Sequence, residues 1–291
     1  MQTPLPNFGI HRDRELLKET TAFCYKESPT GPLQAHVFFP PTPRSEERPP
    51  MLVFFHGGFW DLSAVTHFAT QCVHFAERGC LCVAAETRVS SRHPSSTPLD
   101  ALEDAQDLII ALKQRADEWH FDPQKIVLVG AAGGAFLALH AAMEKHPRSV
   151  DGIDPRPAAL ILLSALVDTG PKTDQARRFP SPQQAKALSP LRMTRRKLPP
   201  MLFLHGQSDR ITPISAVKSL CRWLRFKGNK ALLISYKGAD HRFFNFNADL
   251  VHYDLCLREM ESFLRRYELI PAHQAPQALA WEHLDSVASE V

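Results

Sequence analysis

Six short, mostly apolar runs punctuate this chain: Met51–Phe55, Cys80–Ala85, Lys125–Val129, Ala158–Leu163, Met201–His205 and Ala231–Tyr236. Each has the length of a strand, and Met51–Phe55 and Lys125–Val129 lack the alternation of a half-solvated one, so these two are expected to be buried on both faces. Between the runs, apolar residues recur at helical spacing. The pattern predicts helices over Thr66–Arg78, Leu99–Trp119, Phe136–Lys145, Pro213–Phe226 and Tyr253–Tyr267. The second repeats Leu102, Ala105, Leu108, Ile109 and Leu112, and the third stops at His146-Pro147. Parallel neighbours require crossovers of this length. The expected fold is therefore α/β, a mostly parallel sheet with helices on both faces. Thr21–Lys26 and Gln34–Phe39, joined through Pro29, Gly31 and Pro32, bring the sheet to about eight strands.

One stretch breaks the rhythm. Residues 170–198 are rich in proline, glutamine and basic side chains, with a short helical piece at Gln183–Leu188. They read as a lid-like insertion within one domain spanning 1–270, and 271–291 as a loosely ordered tail. A length of 291 residues leaves no room for a second large domain. The net charge of +3 argues against nucleic acid and anionic membrane as partners, and the interrupted basic run Arg192–Lys197 reads as solvated surface. None of the six cysteines has metal-ligand or disulfide-framework spacing. Cys80 and Cys82 share a strand face and are expected to be core thiols. Met1–Glu19 lacks the apolar centre of a signal peptide, and no run is long enough to span a membrane. The expectation is a cytoplasmic protein with reduced thiols, no metal and no cofactor, monomeric or homodimeric.

Three places at the ends of the runs carry residues suited to chemistry, as open α/β sheets arrange their sites. His56-Gly57-Gly58-Phe59-Trp60 follows Met51–Phe55; its glycines let backbone N–H groups approach a bound oxygen, or simply form a turn. Gly130-Ala131-Ala132-Gly133-Gly134 lies between a strand and a helix, with glycines where a nucleophile elbow G-x-S-x-G needs them and Ala132 where it needs serine. Taken alone it could equally be close helix–strand packing. Asp209 then follows the strand at Met201, and His241 follows the strand at Ala231. That gives the chain order nucleophile position, acid, base. Asp240, adjacent to His241, is a poor substitute for Asp209 because it points elsewhere.

These segments together resemble the bacterial carboxylesterase branch of the α/β-hydrolase superfamily, over Met51–His241. That branch contains hormone-sensitive-lipase-like esterases, acetyl esterases and deacetylase/feruloyl-esterase domains. Val53–Trp60 resembles the HGGGF/W oxyanion segment, and Glu86-Thr87-Arg88 an E-Y-R with Thr87 in place of tyrosine. Gly130–Ala138 resembles G-x-S-A-G-G-H-L-A, departing at Ala132, Gly133, Ala135 and Phe136. His205–Pro213 resembles H-G-x-x-D-x-x-V-P, and Tyr236–Phe243 resembles Y-x-G-A-x-H-x-F.

The resemblance implies a carboxylic-ester hydrolase for short-acyl or acetyl esters. Asp209 and His241 would be acid and base, Gly57, Gly58, Phe59 and Gly133 the oxyanion hole, and His56, Trp60 and Phe243 contacts to a small ester. Phe59, Trp60 and Phe243 could line the pocket or pack in the core; Arg92 and His93 could meet a polar substrate or belong to an ordinary loop. Ala132 leaves three readings open. It replaces serine deliberately in a working esterase, to trap substrate. It marks a natural non-catalytic relative that binds a ligand or partner in the old pocket. Or His241 with Asp209 acts as a general base on water or on an acidic substrate, without a covalent intermediate.

Overall fold

A computed structural model describes residues 8–41, 48–62, 64–145, 147 and 149–270. Eight strands form one sheet: β1 Thr21–Ser28, β2 Gly31–Phe38, β3 Met51–Phe55, β4 Leu81–Ala85, β5 Ile126–Ala131, β6 Ala159–Leu163, β7 Met201–Gly206 and β8 Ala231–Tyr236. Their spatial order is β1-β2-β4-β3-β5-β6-β7-β8. The pairs from β4 to β8 are all parallel, while β2 runs antiparallel to β1 and β4. The eight-stranded α/β expectation is met.

The helices are α1 Phe8–Lys18, α2 Ala69–Ala76, α3 Pro98–Gln114, α4 Gly133–Met143, α5 Pro182–Ala187, α6 Ile214–Phe226 and α7 Leu250–Arg266. Alternate strand residues feed two cores. Met51, Val53 and Phe55 pack with α3, α4 and α6 on one face. Leu52 and Phe54 pack with α2 and α7 on the other, together with Cys80 and Cys82, both fully buried. Because α2 follows β3 on one face and α4 follows β5 on the other, the chain diverges at the C-terminal ends of these two neighbouring strands. A crevice opens at such a switch point.

Some boundaries differ from the sequence expectation. The stretch Met1–Glu19, for which no element was expected, contains α1. The first helix of the expected set starts as a 3-10 turn, Val65–Phe68, before α2. The helix α3 ends at Gln114, several residues before Trp119, and α4 begins three residues before Phe136, directly at the elbow. Residues 42–47, His146 and the tail 271–291 lie outside the described residues, so the tail expectation does too.

The insertion 170–198 carries a 3-10 turn at Asp174–Arg178, α5, and a second 3-10 turn at Pro190–Arg192. It is anchored from beneath. His140 in α4 hydrogen-bonds the Leu188 carbonyl at 2.7 Å, and the Thr169 hydroxyl donates to the Ala185 carbonyl at 2.6 Å.

Candidate active site

The elbow forms where β5 passes into α4. Ala132 sits between them at φ 48°, ψ −111°. A residue with a Cβ pays about 1–3 kcal/mol for such a conformation, so its surroundings must enforce it. Two glycines do so. A Cβ on Gly134 would lie 2.1 Å from the Phe55 carbonyl oxygen, and one on Gly130 would lie 2.4 Å from the Gly134 oxygen. Only hydrogen at these positions lets the turn press against the end of β3. The Ala132 N–H donates to the Leu163 carbonyl at 3.1 Å, and its own carbonyl accepts from Leu166 and Phe136, each at 3.2 Å.

The loop after β3 wraps over the elbow. Gly58, Phe59 and Trp60 are all at positive φ, 103°, 50° and 66°. A Cβ added to Gly133 would meet Phe59 Cα at 3.2 Å and Phe59 N at 3.3 Å, which brings the first amide of α4 next to the loop backbone. Among the described residues, the N–H groups of Gly58, Phe59 and Gly133 have no protein acceptor. Gly57 does not join them. Its N–H donates to His67 Nδ1 at 3.3 Å, which corrects its placement in the oxyanion hole. Burial holds the His67 imidazole down at about 4, with the nearby His56 and His241 adding to the effect, so the ring is neutral and able to accept.

The twisted loop sorts the aromatic residues. The Phe59 ring is half-buried and stacks on the His241 imidazole, centroids 5.9 Å apart and planes 21° apart. Trp60 turns inward, 5% exposed, and packs edge-on against Phe136 and Phe179. Phe243 is 1% exposed and packs against Tyr236 and Phe244. His56 is buried with Nδ1 2.6 Å from the Gly57 oxygen, and burial pushes its ring down. Trp60, Phe243 and His56 therefore brace the site rather than line it. Arg92 pairs with Glu86 at 2.5 Å, and the buried His93 meets the Thr30 hydroxyl at 2.7 Å, so neither is free for a ligand.

The acid and base come together at the ends of β7 and β8. His241 Nδ1 lies 2.8 Å from Asp209 Oδ2. The Asp209 carboxylate also accepts from the Ile211 and Thr212 N–H groups at 2.9 Å and from the Thr212 hydroxyl at 2.8 Å. Burial alone would raise this carboxyl. The hydrogen bonds from His205, His241 and Thr212 reverse that and hold it far below the usual carboxylate range. Asp209 is thus ionised and fixed, and it orients the imidazole so that Nε2 faces away from it. Asp240 instead accepts the Arg242 N–H at 2.8 Å and takes no part.

Sequence reasoning missed three contributors. Thr212 bonds both Asp209 and His241, the latter at 3.2 Å; it occupies the valine position of the acid-loop pattern, and that departure was the available signal. Ser164, at φ 43°, donates to the His241 carbonyl at 2.9 Å and accepts the Thr212 hydroxyl on its own carbonyl at 3.0 Å. His67 has no sequence signal, because its partner is a backbone amide. Among the described residues no His/Cys/Asp/Glu group is arranged to hold a metal, and no helix is long and apolar enough to cross a membrane.

Comparison with known proteins bears on the family and the fold. The family described as alpha/beta hydrolase fold matches residues 52–245. Esterase 2 of Thermogutta terrifontis superposes with a TM-score of 0.81 at 29% identity, covering 89% of this chain and 98% of that one. Among curated proteins, a probable isoprenylcysteine alpha-carbonyl methylesterase of rice is 25% identical over 75% of this chain and 56% of its own length. Esterase LipI of Mycobacterium tuberculosis is 24% identical over 43% of this chain and 38% of its own. The chain spans about half the length of the curated relatives it matches, or less. With the family match covering most of the sheet, the elbow and the acid–base loops, this chain belongs to the α/β-hydrolase-fold family, in its esterase-type branch.

Proposed function

We propose that this chain carries a short-acyl carboxylic-ester site of the Ser-Asp-His kind in which Ala132 stands at the nucleophile position. It binds an ester or its acid product but forms no acyl-enzyme. The supporting observation is the backbone of Ala132, which keeps a strained elbow geometry beside a hydrogen-bonded Asp209–His241 pair. In the serine-bearing chemistry, His241 takes the hydroxyl proton, Asp209 stabilises the imidazolium, and the Gly58, Phe59 and Gly133 amides hold the oxyanion. A methyl group cannot attack. Loss of a nucleophile costs on the order of 10⁶-fold in kcat, about 8 kcal/mol of barrier. The Thermogutta esterase has been solved with propionate and with butyrate, which supports a short acyl class here.

Restoring the oxygen tests the reading. Ala132→Ser should gain about 10³-fold or more in p-nitrophenyl acetate hydrolysis over the parent chain. It should also gain one diethylphosphoryl group from paraoxon by intact mass, as the Thermogutta esterase is phosphorylated. A folded Ala132→Ser protein that does neither overturns the proposal. The Asp209–His241 bond favours a second reading, in which His241 activates water without a covalent intermediate. Any hydrolysis by the parent chain should then vanish in His241→Ala; persistence would refute it.

A further inference from the structure

We propose that the outer face of α6, with Arg196 and Lys197 beside it, is a docking surface for a membrane bearing anionic phospholipids, seated through Trp223 and Phe226. The net charge of +3 conceals an uneven distribution. Ten of the 34 lysines and arginines lie between Pro190 and Lys230, against one of the 31 acids, Asp209, which is buried beside His241. The rest of the chain carries 24 basic and 30 acidic residues. The fold gathers the surplus. Lys227 donates to the Thr194 carbonyl, Asn229 donates to the Arg195 carbonyl at 2.6 Å, and the Leu198 N–H donates to Asn229 at 3.0 Å. These bonds lay the basic run ending at Lys197, expected from sequence as ordinary solvated surface, against the C-terminal end of α6. Arg196, Lys197, Lys218, Arg222 and Arg225 are all exposed, and among the described residues none has a carboxylate partner.

Two aromatic rings stand among these cations. Val217, Leu220, Cys221 and Leu224 face the core, so the helical repeat turns Trp223 and Phe226 outward. They are 53% and 79% exposed and touch each other edge-on, centroids 6.0 Å apart at 87°. A single exposed aromatic is ordinary, but two in contact, rimmed by long cationic side chains, form an apolar knob of the kind that marks an interaction surface. Trp and Phe beside Lys and Arg is the composition of a helix lying in the headgroup plane. The rings enter the boundary with the acyl chains, and the cations meet phosphate.

Charge selects this partner over a second copy of the chain. The helix α6 contains no Asp or Glu, so packing it on itself across a twofold axis would oppose like cations with nothing to answer them. Ring geometry selects it over nucleic acid. Trp223 and Phe226 meet nearly at right angles on a convex helix, whereas stacking bases need flat faces along a groove. The surface is also separate from the elbow. The crevice opens at the C-terminal ends of the strands, and α6 runs from the acid loop back to the N-terminal end of β8. Trp223 and Phe226 occupy its last turn, at the end remote from the crevice.

Co-sedimentation of the parent chain with vesicles tests this, using phosphatidylcholine alone or with about 30% phosphatidylserine at about 0.1 M salt. The anionic vesicles should bind at least about tenfold more tightly than the neutral ones, and the difference should shrink as salt is raised to about 0.5 M. Lys218→Gln/Arg222→Gln should lower the partition coefficient about tenfold. Trp223→Ser/Phe226→Ser should lower it about tenfold at unchanged charge. Lys172→Gln/Arg177→Gln, on the insertion, should leave it within about twofold. All the replaced side chains are exposed, so melting temperatures should match that of the parent chain. No binding of the parent chain to anionic vesicles, or equal binding to both kinds, would overturn the proposal. Full binding by Trp223→Ser/Phe226→Ser, or an equal loss in the insertion variant, would overturn it too. So would tighter binding to an oligonucleotide than to the anionic vesicles, or a dimer in sedimentation equilibrium that Trp223→Ser/Phe226→Ser dissolves.

Discussion

At the scale of single residues, the elbow is a place where sequence and geometry disagree locally. Ala132 has a Cβ at φ 48°, in a region that suits glycine, yet the flanking glycines give the backbone no other course. Ala132→Gly should relieve the strain and raise stability by about 1 kcal/mol, about 2 °C in Tm, in a thermal melt. A lower Tm would mean that the methyl packs better than the backbone strains. The reverse applies two residues on. Gly134→Ala places a carbon 2.1 Å from the Phe55 oxygen and should cost about 3 kcal/mol or more in urea unfolding. The glycines were legible in the sequence because a close backbone approach has no other cheap solution. Thr212, Ser164 and His67 were less so, because each acts through a carbonyl, an amide or a neighbouring side chain that only the folded chain brings near.

Elements were legible where burial is complete. Each apolar run from Met51 to Tyr236 is a strand within a residue or two; β3 to β7 are buried throughout and carry the signature of a strand covered on both faces, whereas β8, at the sheet edge, is buried only at Ala231 and Tyr236. The amphipathic α1 escaped because its segment is polar and short. The insertion's docking escaped because it depends on partners 48 residues apart, His140 and Leu188. The tie between α2 and α7 was also invisible from sequence. Glu261 receives His74 Nε2 at 2.8 Å, Arg78 Nε at 2.6 Å and Arg265 at 3.0 Å, and it is 7% exposed in its side chain. Glu261→Gln removes the carboxylate charge that Arg78 pairs with and should cost about 3 kcal/mol in denaturant unfolding at neutral pH. A loss under about 0.5 kcal/mol would show that the cluster is solvated rather than structural.

For the whole molecule, two cores flank one sheet, and the polar groups sunk into them set its response to acid. His67 and His140 are both held down to about 4 by burial; His140 also gives its ring N–H to Leu188, bracing the insertion. An unfolded histidine binds its proton near 6.5. Between these values the unfolded chain takes up protons that the folded chain refuses, so stability present above about pH 6.5 should drain away as pH falls toward 4. Asp209 extends the loss further down, since its depressed carboxyl contributes above the ordinary carboxylate range and fails below it. Urea midpoints measured from pH 7.5 to 4 should decline, and His140→Gln should flatten the slope. A flat profile in the parent chain would refute the assignment.

The elbow has one more consequence, and it concerns inheritance rather than chemistry. Its shape is set by Gly130 and Gly134 and by backbone bonds to Leu163 and Leu166, none of which depends on the side chain at 132. Alanine and serine codons of the GCN and TCN sets differ by a single base. A lineage can therefore drift across that base without disturbing the scaffold, and the route back to an oxygen at this position stays one substitution long.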